Sequence, residues 1–542
     1  MKKADVKYIK QMKVLIVDDS STALLLLKQQ LLALGLEHNQ ITTVERYQNA
    51  IKAIESRHFD VLILDYHLEQ NLTGYELAML LYRNRLIGDS TGVLMISGDA
   101  RQETVLTALS GKVRHFVTKP LSNSSLAEKL LVIHRESQKL VQINQYLFSH
   151  RTVDAATLFE MINRSGFSIS LEAHLIEHFM QQNQWDLLDV YITLSSTSCH
   201  ASKMCAIAHL LHRDNNTTQA LEELHQFLIE NPLSIRVIDT ISQLYADSEQ
   251  HEQAAIWAVK AFELTPSIGE RASHASQLLA VANKKAPLYK VGLSYAQHMS
   301  MADVNWLKAV IGHFQSLEKT YLQTESTTAK TDLLHHANQF IHTASRRLTP
   351  KRIQHLQSIH LIFQCHVLIH ENNEALGHRK LLQSLANYYD ELFECPVILL
   401  LEYLPALDLF GEREISRTLV SVLKSRGANP NNIQLPKRFF QNEDAAYSGF
   451  DFHQNNSELV LYQDLLKQYP HSSEAKIQYL HAQCDRFDCI HDEHLNKLLS
   501  ELNSLDLPPN WNNWVVTGKQ HGYSAPPPNA FSFAATKDGS ER

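Results

Sequence analysis

The sequence predicts two architectures in series, an α/β doubly wound five-stranded parallel sheet followed by an all-α helical-repeat region. Three observations predict them. Over residues 1–137, short apolar runs and amphipathic stretches alternate five times, the pattern of parallel strands covered by helices on both faces. Over 151–507, apolar residues recur at helical spacing with few glycines and almost no strand signals. Within that stretch Pro232 and Pro266 stand 34 residues apart, an interval that suggests a two-helix repeat. Residues 138–150 contain neither Pro nor Gly and read as a polar helical linker between the two regions.

In the first region the strand candidates are Val14–Val17, Ile41–Val44, Val61–Asp65, Val93–Ser97 and His115–Thr118. The stretches Thr22–Leu34, Tyr47–Arg57, Tyr75–Arg85 and Ser125–Arg135 read as the helices around them. The run VLIV is apolar on both faces, as expected of a strand buried in a parallel sheet. Polar residues collect at the carboxyl ends of the strands: Asp18-Asp19, Asp65, Ser97 and Lys119-Pro120. Ligands in open α/β sheets bind at that edge, so these groups can converge. Two adjacent carboxylates there repel each other unless a cation lies between them, and Mg²⁺ takes one or two carboxylates plus waters. Capping of the following helix by Asp19 or Ser20 is the simpler alternative.

The pieces VLIVDDS, VLILDYHL, TGYEL, VLMISGDA and HFVTKP resemble, in order and spacing, the receiver domain of two-component response regulators. The resemblance covers about a quarter of the chain. It implies a flavodoxin-like receiver fold in which Asp65 is the phosphoacceptor and Asp18, Asp19, Asp65 and the backbone carbonyl of His67 hold Mg²⁺. Ser97 is then expected to hydrogen-bond a phosphoryl oxygen, Lys119 to offset its charge, and Phe116 to turn inward with Ser97. A cis Lys119–Pro120 bond is implied as well. So are a histidine kinase as phosphodonor and no catalysis beyond the receiver's own phosphorylation and slow dephosphorylation. The loop YHLEQNLTG departs from the family, lacking its frequent proline and running one residue longer to Gly74. His67 and Asp99 occupy positions that tune the lifetime of the acyl phosphate in that family. No acid, acceptor or lysine is missing, so an active receiver is expected rather than an inert one.

In the second region the same 34-residue shift aligns Ala220 with Ala254, Leu224 with Ala258 and Phe227 with Ala261. The unit reads helix, turn, helix, proline: Ser202–Arg213 and Thr218–Glu230, then Ile235–Asp247 and Glu252–Leu264. It resembles tetratricopeptide repeats, with Tyr245, Ala254, Ala261 and Pro266 at pattern positions. A third copy, Ala272–Tyr295, has Leu288 where alanine is expected, and Pro470 lies in another helix–Pro–helix fragment. Stacked helix pairs present surfaces that bind peptides or proteins. A plain helical bundle is the alternative. Residues 508–542, rich in Pro and Asn, are expected to be largely disordered, with a docking role open to their aromatics.

Composition narrows the function further. The 542 residues are 44% apolar and 20% charged, ordinary values for a globular protein. A net charge of −8 gives no bulk electrostatic reason to bind nucleic acid or anionic lipid. Six cysteines, none before Cys199, suit a reducing cytoplasm. The amino terminus leads straight into a strand and does not read as a signal peptide. The segment PVILLLEYLPALDLF is broken by Glu402, Pro405 and Asp408 and is too short to span a bilayer. The group His481, Cys484, Cys489, His491 and His494 has metal-like spacing but reads as a turn with core cysteines. The basic run around Arg346 and Arg347 reads as a solvated helix end.

The expected function is a cytoplasmic, phosphorylation-controlled response regulator without membrane insertion. It acts through protein contacts of its helical region, modulating a kinase or another regulator. The layout also resembles VieB-type accessory regulators of three-component signalling systems. Its rivals are a transcription factor with a degenerate DNA-binding domain and an unrecognised hydrolase.

Overall fold

The computed structural model describes residues 8–69, 72–98, 113, 115–149, 154–163, 169–300, 303, 305–427, 458–484 and 493–531. The chain forms two compact units, 1–309 and 310–542.

The strands of the first unit are β1 (Val14–Val17), β2 (Ile41–Val44), β3 (Val61–Asp65), β4 (His67–Glu69), β5 (Leu72–Thr73), β6 (Gly92–Ser97) and β7 (His115–Thr118). Five of them make one parallel sheet in the order β2-β1-β3-β6-β7, and β4 and β5 form a separate antiparallel pair. Among the described residues the helices of this part are α1 (Ser21–Ala33), α2 (Tyr47–Ser56), α3 (Gly74–Arg83) and α4 (Asn123–Ser149). Alternation along each strand sends Val14, Ile16, Ile63, Leu94 and Ile96 into one core with Leu27 of α1 and Leu130 of α4. Leu15, Val17, Leu62, Leu64 and Met95 face the other way, onto Ala50 of α2 and Leu77 and Leu81 of α3. Both faces of the sheet are thereby covered, which is why its strands carry unbroken apolar runs.

Helix α4 is longer than the sequence pattern suggests, because the expected linker continues it without a break to Ser149. Its first half packs on the sheet, with Gly92 leaving room: a Cβ there would stand 2.0 Å from Ile133. Its second half brings Leu140 and Ile143 into the next core, with Leu158, Leu175 and Phe179.

Helices α5 (Ala155–Asn163), α6 (Ile169–Gln181), α7 (Trp185–Leu194), α8 (Ala201–Arg213), α9 (Thr217–Glu230), α10 (Ile235–Asp247), α11 (His251–Leu264), α12 (Gly269–Val281) and α13 (Lys285–His298) follow. From α6 onward they pair as hairpins that share one turn. The left-handed residue at each turn is Asn183, Asn215, Glu249 or Asn283, the last three spaced 34 residues apart. The amide after each one bonds back across the helix end, as in Asn216 to Leu211, Gln250 to Tyr245 and Lys284 to Leu279. This is a Schellman-type end, which satisfies carbonyls that the terminated helix leaves open.

The second unit opens within α14 (Trp306–Leu322) and continues through α15 (Thr327–Ser345), α16 (Pro350–His370), α17 (Glu374–Ala386), α18 (Val397–Phe410) and α19 (Arg413–Ser425). It ends with α20 (Glu458–Gln468), α21 (Ser473–Cys484), α22 (Glu493–Asn503) and α23 (Pro509–His521). The same turn recurs at Asn372 and Gly411. Helix α23 departs from the disorder expected of residues 508–542. Pro508 and Pro509 start the helix, a position that suits proline because no amide partner is lost. Trp511 is 1% exposed, and its indole N–H donates to the Pro528 carbonyl at 3.0 Å. Residues 532–542 lie outside the described residues, as do Asp99, Cys489 and His491. His481, one of the metal-like group, has Nδ1 2.9 Å from the Tyr523 carbonyl oxygen.

Candidate functional site

The site follows from register. Val17 of β1 pairs with Leu64 of β3, so Asp18 and Asp65 leave neighbouring strands at the same level. Ser97 ends β6 beside Thr118 of β7, which puts Lys119 next to emerge. The Lys119 ammonium lies 2.7 Å from Asp18 Oδ2 and 2.7 Å from Asp65 Oδ1. Asp18 is 1% exposed and Asp65 6%, whereas Asp19 is exposed. The Ser20 amide holds Asp18 Oδ1 at 2.9 Å, and the His67 amide holds Asp65 Oδ2 at 3.2 Å. The helix cap expected of the Asp-Asp-Ser run falls to Ser20. Ser20 caps α1 through the Ala23 amide at 3.3 Å, while the two aspartates point into the site.

The charges do not balance. Asp18, Asp19 and Asp65 offer carboxylate oxygens that all lie within 4.8 Å of one another. Against three carboxylates there is one ammonium, an excess of two negative charges. Burial raises the Asp65 pKa, Lys119 pulls it down, and the charge of Asp18 adds to the rise. Desolvation would depress the Lys119 pKa, but its bonds to Asp18 and Asp65 overcome that and leave it raised. A hard divalent cation with oxygen ligands matches this donor set in charge and chemistry. Among the described residues no other His, Cys, Asp or Glu group is so arranged.

The remaining expected residues are near at hand. Ser97 is buried, and its carbonyl accepts the Lys119 amide at 2.8 Å. Phe116 is half-buried against the core on the α2–α3 face. The Lys119–Pro120 bond is cis. The lengthened loop after Asp65 contributes the β4–β5 pair, with His67 opposite Thr73.

Known proteins point to the same family. The model of the response regulator receiver domain matches residues 14–131. A "Chemotaxis protein CheY homolog" of Campylobacter jejuni is 30% identical over 120 residues, 22% of this chain and 89% of the relative. The chain belongs to the response regulator receiver family. "Chemotaxis protein CheY-3" of Vibrio cholerae is 29% identical over 121 residues, 22% of this chain and 90% of the relative. The crystal structure of a CheY-like receiver domain protein from Methanospirillum hungatei is 25% identical, covers 23% of this chain and 95% of its own, and has a TM-score of 0.21. The family assignment therefore concerns the receiver, a signalling module of two-component systems, and leaves the helices beyond it to their own geometry.

Two groups escaped sequence reasoning. Thr73 and Glu76 form a capping box at the start of α3, with the TGYE spacing as its visible signal. Glu172 of α6 is fully buried, and no periodicity argument would place it there. Its oxygens accept from Tyr191 at 3.2 Å, Thr197 at 2.9 Å and Ser195 at 2.5 Å, and one faces His200 Nε2 at 2.9 Å. Lys203 closes the network on the Ser195 carbonyl at 2.8 Å. Burial alone would raise the Glu172 pKa, but the bonds from His200, Ser195 and Thr197 bring it down to about 2.

Proposed function

We propose that Asp65 accepts a phosphoryl group from a histidine kinase partner and that the helical region passes the signal to another protein. The observation that carries this is the pairing of a recessed Asp65 with Lys119 inside a three-carboxylate cluster. A carboxylate oxygen of Asp65 attacks phosphorus, the bond from phosphorus to the donor breaks, and the donor nitrogen keeps the electron pair and takes a proton. Lys119 stabilises negative charge gathering on the phosphoryl oxygens, and the hydroxyl of Ser97, the last residue of β6, hydrogen-bonds one of them. Asp18, Asp19, Asp65 and the carbonyl of His67 would hold Mg²⁺, which when bound supplies further charge neutralisation. Slow hydrolysis of the acyl phosphate returns the receiver to its resting state.

For the helical region the reading is tetratricopeptide-like, supported by hairpins whose left-handed turn residues fall at 34-residue intervals from Asn215 to Asn283. Such an array acts by binding protein, and modulation of a kinase or sibling regulator, as in VieB-type accessory regulators, is the role that fits. No described helix is long and apolar enough to cross a membrane, and a cytoplasmic location is part of the proposal. The test is labelling of the full chain with acetyl phosphate and Mg²⁺, followed by mass spectrometry. Wild type should gain one phosphoryl group on Asp65, and Asp65→Asn should gain none. Undiminished labelling of Asp65→Asn would refute the assignment.

A further inference from the structure

The array touches the receiver at a second place besides α4. Helix α3 begins at Gly74, whose missing side chain permits a very close approach: a Cβ there would stand 1.9 Å from the Asp65 carbonyl oxygen. The Gly74 amide donates to the Tyr66 carbonyl at 2.8 Å, and the Tyr66 amide to the Ile96 carbonyl at 2.8 Å. The first turn of α3 is thus bonded to the residue that follows the acceptor. That same turn meets the array. Glu76 Oε2 accepts the Thr73 amide at 2.7 Å, while Oε1 accepts the hydroxyl of Ser300, 224 residues further along the chain. Tyr75 is half-buried and lies in the field of Asp303 and Arg271.

The array side of this contact is held in place by its own bonds. Asp303 accepts the Gly269 amide at the start of α12 at 3.2 Å and the Asn305 amide at 2.8 Å. Arg271 grips Asp239 through Nε at 3.1 Å and Nη2 at 2.8 Å, and donates to the Thr265 hydroxyl at 2.9 Å. Asp303 and Arg271 are thereby fixed by bonds made within the array.

We propose that the array reads the state of Asp65 through this surface: Ser300 holds Glu76, in the first turn of α3, while Asp65 is unmodified and releases it on phosphorylation. The inference rests on Asp65 being the phosphoacceptor. Phosphorylation replaces the single charge of the Asp65 carboxylate with roughly 1.5 to 2 negative charges, and the Asp65 carbonyl is the group against which the start of α3 packs. Glu76 and Asp303 bring further carboxylates to the same contact, so added charge acts against it. Coupling of this kind is reciprocal: whatever weakens the contact must favour phosphorylation.

The experiment uses the full chain, unmodified and phosphorylated, with hydrogen exchange read over 74–83 and 269–300. Phosphorylation should raise exchange in both segments. In the unphosphorylated double variant Ser300→Ala, Asp303→Asn, exchange over 74–83 should already be raised. That variant should also bind beryllofluoride, a phosphoryl mimic, at a concentration about fivefold lower, the small end of typical couplings. Unchanged exchange at 269–300 in a fully phosphorylated chain overturns the inference while leaving the phosphoacceptor assignment intact. Absence of labelling at Asp65 overturns the assignment instead. The contact itself is then judged by the variant alone, and unchanged exchange over 74–83 refutes it.

Discussion

Asp65 in the receiver and Glu172 in the array are both carboxylates withdrawn from water, and the chain treats them in opposite ways. Glu172 receives hydroxyl donors from Tyr191, Ser195 and Thr197 and a close contact with His200, and its pKa falls to about 2. Asp65 shares one lysine with Asp18, has Asp19 close by, and its pKa rises. The first arrangement is complete without a ligand. The second is short of positive charge in the place where a phosphoryl group and a cation would arrive. A buried acid therefore reveals function through what it lacks, since a fully satisfied one is a structural part.

The largest effect that sharpens this contrast is expected at Glu172. Truncation by Glu172→Ala leaves His200, Lys203 and the hydroxyls of Tyr191, Ser195 and Thr197 around a hole. Breaking a buried, hydrogen-bonded charge in this way costs about 3–5 kcal/mol. Hydrogen exchange across α6–α8 should rise steeply in this variant, with the receiver still competent for phosphorylation. A variant with native protection there would show that the network is not structural.

Asp65→Asn should do the reverse in the absence of metal. It removes one of three mutually repelling carboxylates while keeping the side chain's shape. Because burial and the charge of Asp18 outweigh Lys119 in raising the Asp65 pKa, the metal-free receiver should gain stability at neutral pH. Saturating Mg²⁺ stabilises whatever it binds, by roughly 2.7 kcal/mol at a hundredfold excess over its dissociation constant. That increment should appear in the wild type and shrink in Asp19→Ala, as read by thermal melting of the receiver signal. Equal Mg²⁺ stabilisation of both proteins would place the ion elsewhere.

The two regions were also unequally legible. In the receiver, apolar runs that end in Asp, Ser or Lys state both the strand and its functional edge, and parallel register alone then converges Asp18, Asp65 and Lys119. In the array, the pairing of helices depends on turns with a left-handed residue. Asn215 and Asn283 are common choices there, but Glu249 is not, so the third hairpin is no plainer in sequence than the second. Burial of Glu172 is set by partners that stand 19 to 28 residues away, beyond the reach of periodicity. The carboxyl-terminal segment misled through its composition. Its prolines and asparagines read as disorder, while Pro508-Pro509 in fact start a helix and the indoles of Trp511 and Trp514 supply the bonds that fold the segment back.

A third group of acids in the second unit offers the finest test of the contrast, because it has neither full internal satisfaction nor the spacing for a metal ion. Glu412 faces His378 Nε2 at 2.7 Å and accepts from the Ser473 hydroxyl at 2.7 Å. Glu474 accepts the Glu414 amide at 2.8 Å, and Glu414 in turn accepts the amide of Ala530 from the carboxyl-terminal segment. Burial, with the charges of Glu412 and Glu414 behind it, raises the Glu474 pKa to about 7. In this cluster a proton takes the part that a cation would take at Asp65. The sign of the pH dependence follows. Between the ordinary glutamate value and about 7, the folded chain holds a proton on Glu474 that the unfolded chain has lost, so stability falls as pH rises through that window. Ionisation also sets Glu474 against Glu414, the acid that anchors Ala530. Docking of residues 509–531 should accordingly loosen as pH is raised through about 7, seen as faster hydrogen exchange there after correction for intrinsic rates. Glu474→Gln should remove the dependence and keep the segment docked at high pH. A pH dependence that persists unchanged in Glu474→Gln would assign the proton to another group and leave Glu474 among the satisfied structural acids, beside Glu172.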